Sequence, residues 1–180
     1  MNLALLYKKG QGVPQDYTES LLWFRKAADQ GLAQAQLNIG TMYEEGDGVP
    51  RNYAEAMRWY RKAADQGEDV AESSLGLNYE EGRGVPQNYT EAARWYRLAA
   101  DRGEAEAQFN LGILYVEGYG VPQNDVSAYM WFNLAAVQGF DFAVRNRDLL
   151  AARMSAAQVA EAQKLAREWK PKSDAPIDTP

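Results

Sequence analysis

No histidine and no cysteine occur among the 180 residues, so the commonest general base, the commonest metal ligand and every thiolate are missing together. A disulfide framework and a thiolate zinc site are excluded outright. What remains for chemistry is carboxylate, densest at Glu44-Glu45, Glu80-Glu81 and Glu117. Paired carboxylates such as Glu80 and Glu117 are the combination suited to general acid/base work. An array repeats many carboxylates for other reasons, however, and no catalytic residue is assigned to them. Glu44-Glu45-Gly46-Asp47 lacks the alternating oxygen-ligand spacing of a calcium loop, so no metal and no cofactor are expected. The Gly-x-Gly-Val-Pro loops have no Lys-Ser/Thr continuation and read as bends, not phosphate cradles. Asn88-Tyr89-Thr90 fits a glycosylation pattern, but Asn88 stands where a helix cap is needed.

These carboxylates recur because everything recurs. Trp23, Trp59, Trp95 and Trp131 are each 36 residues apart, and Tyr7, Tyr43, Tyr79 and Tyr115 keep step with them. So do Gly12-Val13-Pro14, Gly48-Val49-Pro50, Gly84-Val85-Pro86 and Gly120-Val121-Pro122. A fixed period of this kind marks a solenoid, whose units bury their apolar faces only by stacking on neighbours. In the second unit, Ala35, Ile39, Gly40 and Tyr43 form a stripe of helical period, which predicts a helix A ending at the capping Gly46. Gly40, Gly76 and Gly112 lie inside their helices, where glycine costs about 1 kcal/mol against alanine, so a neighbouring helix or its large side chain must come close there. Asn52 and Glu55 are spaced as a capping box for a helix B over residues 53–66, with Ala56, Trp59, Tyr60 and Ala63 inward. Asp16 with Glu19 and Asn88 with Glu91 repeat the box, while the fourth unit has Asn124-Asp125-Val126-Ser127 instead. Small alanine pairs sit where two helices approach, and the tryptophan is expected to fill the volume between layers.

The framework Ala-x-x-x-Leu/Ile-Gly-x-x-Tyr-x-x-Gly-x-Gly-Val followed by Tyr-x-Glu-Ala-x-x-Trp-Tyr/Phe-x-x-Ala-Ala-x-x-Gly resembles the Sel-one-like repeat family, relatives of the tetratricopeptide repeat. The resemblance covers roughly residues 1 to 150. It implies an all-α fold: a right-handed α–α superhelical solenoid of antiparallel helix pairs, A helices lining the concave side and B helices outside. Units are expected at about 1–31, 32–67, 68–103 and 104–139, then a terminating helix pair at 140–169 whose last helix caps the stack. Asp148 stands where Gly40 does, so the terminating pair must pack differently. Residues 170–180 hold three prolines and no period, and are expected to be a mobile tail.

Opposite the buried stripe, at about 100° per residue, each A helix should present its groove side. In successive units this side carries Leu37, Thr41, Glu44 and Glu45, then Ser73, Leu77, Glu80 and Glu81. It continues with Phe109, Ile113, Val116 and Glu117, and in the fifth A helix with Arg145. These positions vary from unit to unit while the framework does not. Leu37, Leu77, Phe109 and Ile113 would make an apolar floor, and the glutamates an acidic edge suited to a peptide or helix with apolar anchors and basic flanks. The expected function is therefore a non-enzymatic scaffold that holds a protein or peptide partner in its concave groove. The alternative is binding or hydrolysis of a β-lactam-like small molecule, which the resemblance suggests for disulfide-rich relatives, but this chain has no cysteine to join them. Self-association through the incomplete first unit is a further possibility.

A net charge of −6 argues against a nucleic-acid partner, since phosphate tracking rests on clustered Lys and Arg. No apolar run approaches the roughly 20 residues needed to cross a bilayer. The N-terminus lacks a basic region and a small-residue cleavage site, so it reads as cytoplasmic as written, or periplasmic if a signal was trimmed before Met1.

Overall fold

A computed structural model describes residues 1–172 as ten α-helices, with no strand among the described residues. The A helices are α1 (Asn2–Lys9), α3 (Ala33–Glu45), α5 (Asp69–Glu81), α7 (Ala105–Glu117) and α9 (Asp141–Ala151). Between them run the B helices α2 (Tyr17–Ala28), α4 (Tyr53–Ala64), α6 (Tyr89–Arg102) and α8 (Asp125–Val137), and α10 (Ala156–Glu168) closes the chain. Each A helix packs on the following B helix, and each B helix on the next A helix, giving the right-handed α–α solenoid.

Helix starts are set by Asp16, Asn52, Asn88 and Asn124, whose side chains accept from backbone N–H groups in the first turn. The reciprocal half of the expected box is missing. The backbone N–H of each cap residue instead donates to a tyrosine carbonyl in the preceding A helix, Tyr7, Tyr43, Tyr79 or Tyr115, which leaves nothing for the glutamate to reach back to. Glu55 and Glu91 pair with Arg58 and Arg94 one turn on. A complete capping box forms at α10, between Ser155 and Gln158.

Close packing within a layer rests on the mid-helix glycines. A Cβ on Gly40, Gly76 or Gly112 would come within 2.5–2.6 Å of ring carbons of Tyr60, Tyr96 or Phe132. In each layer the residue after the tryptophan is thus a fully buried aromatic. Trp59 is half-buried, with the Lys62 ammonium 4.2 Å from its ring centroid, and Trp23 is covered in the same way by Lys26. Trp95 and Trp131 are the buried members of the set, and each belongs to a cluster with the B-helix alanines of the layer before it. Loops also bridge layers: a Cβ on Gly84, at φ +71, would lie 2.6 Å from the carbonyl carbon of Tyr53 one layer back.

The terminating unit differs as its sequence foretold. Asp148 replaces the mid-helix glycine and is exposed, and no Gly-Val-Pro bend joins the two helices. Without that glycine–aromatic contact, α10 packs chiefly on α8. Beyond α10 the backbone doubles back. Trp169 meets Trp131 edge-on at 6.3 Å, the Lys172 N–H donates to the Asp101 carbonyl (2.8 Å), and its ammonium pairs with the Asp101 carboxylate (2.6 Å). Residues 170–172 are therefore an anchored strap where a mobile tail was expected; residues 173–180 of that segment lie outside the described residues.

Candidate protein-binding surface

The groove-side positions of α3, α5, α7 and α9 share one side of the solenoid, but they do not form a uniform groove. Leu37 is 7% exposed and Ser73 9% exposed. Leu37 belongs to the cluster that joins Ala56, Tyr60, Leu75 and Trp95, so it is interlayer core and not an open floor. Leu77 is half-buried against the next layer's cluster. Thr41 bonds its hydroxyl to the Leu37 carbonyl at 3.2 Å.

The glutamates fall into two sets. Glu44 accepts from the Tyr60 hydroxyl and from Asn78 Nδ2, and Glu80 accepts from the Tyr96 hydroxyl at 2.8 Å. At the same register the fourth layer has Val116 with Phe132, and the first has Lys8 with Phe24. Where the ring loses its hydroxyl, the carboxylate is lost too, so Glu44 and Glu80 act chiefly as acceptors for buried phenols. Each such carboxylate also raises the phenol's pKa, adding to the larger effect of burial. Glu45, Glu81 and Glu117 are the exposed set: Glu45 lies 3.9 Å from Lys8, and Glu81 pairs with Arg83. Burial of its carboxyl, partly offset by Lys8, pushes the Glu45 pKa up. Glu80 and Glu117 therefore differ in environment, one tied to a tyrosine and one at the surface.

The open apolar surface lies at the C-terminal end, on α7 and α9. Phe109 is half-buried, its ring 5.7 Å from Phe132, 5.2 Å from Phe140 and 6.5 Å from Phe142. Phe142 and Leu149 are 70% and 64% exposed. Beside them Ile113, Val116, Leu149 and Leu150 line a cavity of about 150 Å³ whose edge carries Glu117, Asn146 and Arg153. Arg145 is exposed one turn from Phe142 and Leu149. Phe140 and Phe142 are residues that attention to the period alone undervalues, because they belong to the unit that departs from it. A second signal missed is a polar register shared by Asn38, Asn110 and Asn146, with Ser74 in the third layer. Asn38, Ser74 and Asn146 donate to the carbonyl one turn back.

The comparisons agree with this architecture. The Sel1 repeat model matches residues 1–32, 33–68, 70–104 and 105–140. A crystal structure of a protective antigen present in uropathogenic Escherichia coli strains, displaying an SLR fold, is 37% identical with a TM-score of 0.83; the match covers 93% of this chain and 37% of that one. A Sel1 repeat protein from Oxalobacter formigenes is 35% identical with a TM-score of 0.79, over 93% of this chain and 68% of that one. A search of the curated proteins found no match. This chain thus spans well under half of the first of these relatives, and four family matches in fixed register cover residues 1–140 with few gaps. From its period, its packing and these matches, the chain belongs to the Sel1 repeat family.

Proposed function

We propose that the protein is a non-enzymatic scaffold that binds a protein or peptide partner on the A-helix side, with the main anchor at α7 and α9. The observation that carries this reading is the contiguous apolar surface of Phe109, Ile113, Val116, Phe142 and Leu149, two of whose members are more than half exposed. Large exposed apolar patches on a folded chain mark interaction sites. A cavity of about 150 Å³ has the size for one bulky apolar side chain. Glu81 and Glu117 along the same side favour basic residues next to that anchor, so an amphipathic helix or extended segment with apolar anchors and lysine or arginine flanks fits best. Small-molecule hydrolysis is the weaker reading, because Glu44 and Glu80 are engaged by tyrosines.

Selection of random peptides of about twelve residues on the immobilised full chain tests this. Enriched peptides are expected to share a bulky apolar residue beside a basic one, and to bind the Leu149→Asp variant at least about tenfold more weakly. Leu149 is exposed, so the variant should keep the wild-type thermal transition. Selected peptides that bind this variant unchanged would move the site elsewhere.

A further inference from the structure

The strap after α10 shows what a second surface, on the B-helix edge, can hold. Trp169 lies over Gly103, where a Cβ would be 3.7 Å from its ring, and against the edge of Trp131; Pro171 follows, and Lys172 reaches Asp101. Around the strap Gly103, Asn133, Leu134, Val137 and Pro171 line a cavity of about 460 Å³. Four elements make this seat: an acid at the end of a B helix, a glycine just past it, and a tryptophan and an aliphatic residue from the next B helix.

All four recur one layer earlier, as Asp65, Gly67, Trp95 and Leu98. Trp95 is buried, with the Arg94 guanidinium 5.5 Å from its ring centroid and farther off than the Lys62 ammonium is from Trp59; Leu98 is half-buried, and Asp65 is exposed and has no ion pair among the described residues. Two layers back, Lys62 takes the aliphatic place and its ammonium sits on the Trp59 ring, so that copy is covered by its own lysine. An aspartate at a helix C-terminus is electrostatically unfavourable. Its repetition at Asp29, Asp65 and Asp101 therefore needs a reason, and at Asp101 the reason is visible: it holds Lys172.

We propose that the Asp65–Gly67–Trp95–Leu98 seat is a second binding site, distinct from the A-helix surface, for a partner segment with an aromatic residue followed by proline and lysine. The chain's own strap occupies the Asp101 seat because α10 delivers it there, and tethering gives it an effective concentration no free segment matches. Among the described residues, the preceding seat has no tethered occupant. It takes the same chemistry from another chain: the ring over the Gly67 backbone and Trp95 edge, the ammonium on the Asp65 carboxylate.

The test uses a capped peptide of residues 167–172, Arg-Glu-Trp-Lys-Pro-Lys, titrated onto the full-length chain and followed by amide chemical shifts. Saturable shifts centred on Asp65, Gly67 and Leu98 are expected, with affinity at least about tenfold lower for Asp65→Lys, the loss of a charge-assisted contact. Affinity should not change for Asp101→Lys, and should also drop for a peptide with alanine for its tryptophan. Both protein variants alter polar groups near helix ends, and their folding is checked by the same spectra. Binding that appears only after Trp169→Ala and is lost with Asp101→Lys would show that the strap seat alone recognises this chemistry. That result, or no binding at all, would overturn the proposal while leaving the A-helix reading intact.

Discussion

Glu72 has no exposed surface, and one of its carboxylate oxygens lacks a hydrogen-bond partner, although Arg102 pairs with the other. The equivalent contacts one layer either side are amide to amide, Gln66 to Gln36 and Gln138 to Gln108. The third layer thus replaces a neutral pair by an ion pair in the same space. Burial pushes the Glu72 pKa from its usual 4.5 to about 6, against the hydrogen bond and charge of Arg102, with Asp69 adding to the rise. Because the folded value is raised, the folded state holds the proton more tightly than the unfolded chain. The contribution of Glu72 is therefore fully present below 4.5 and is lost as pH rises through about 6. A shift of this size corresponds to about 2 kcal/mol. Urea unfolding across that window should show the stability of the wild type, relative to Glu72→Gln, falling as pH increases; a flat or opposite difference would refute the assignment. That Glu72 and Arg102 meet was not legible in the sequence, because their partnership spans 30 residues and two helices.

At the scale of a helix pair, the mid-helix glycine and the ring facing it decide how near A and B approach. Gly76→Ala gains about 1 kcal/mol in helix propensity. It also sets a methyl 2.6 Å from carbons of a Tyr96 ring that is fully buried and held by Glu80. Overpacking of this kind costs about 1–3 kcal/mol, and with the hydroxyl fixed the ring has little room to retreat, so the overpacking term should win. A higher urea midpoint for Gly76→Ala than for the wild type would contradict this. The glycine was legible as an anomaly inside a helical stripe. Which aromatic met it was not, since Trp59 and Tyr60 are consecutive in the chain, both within a broad inward arc, and both apolar enough for the core. The side chain with a polar end went inside because Glu44 could satisfy its hydroxyl. The same kind of ambiguity misplaced Leu37: a helix between two layers has more than one buried side, and a single apolar stripe does not describe it.

Across the whole molecule, each cluster joins consecutive layers, so stability is a sum of layers and their shared faces. Helices α4 to α7 have neighbours on both sides. Helix α1 packs chiefly on α2, lacks a side-chain cap, and leaves Leu3 and Leu6 over one third exposed. Hydrogen exchange should accordingly be slowest in α4–α7 and fastest in α1, with α10 retained above α1 by Trp169 and Lys172. Uniform protection along the chain would count against layer-by-layer stacking. What the sequence by itself determined was the period, the helix pairs, the bends and the family, because these are local properties that repeat: caps, turns and stripes are written within one unit. Only the tertiary structure decided which groove residues stay open, that glutamates at the supposed edge serve buried tyrosines, and that the last residues described fasten back onto Asp101. Those outcomes depend on contacts between layers and on the one unit that breaks the repeat, and a period carries no information about what happens where it stops.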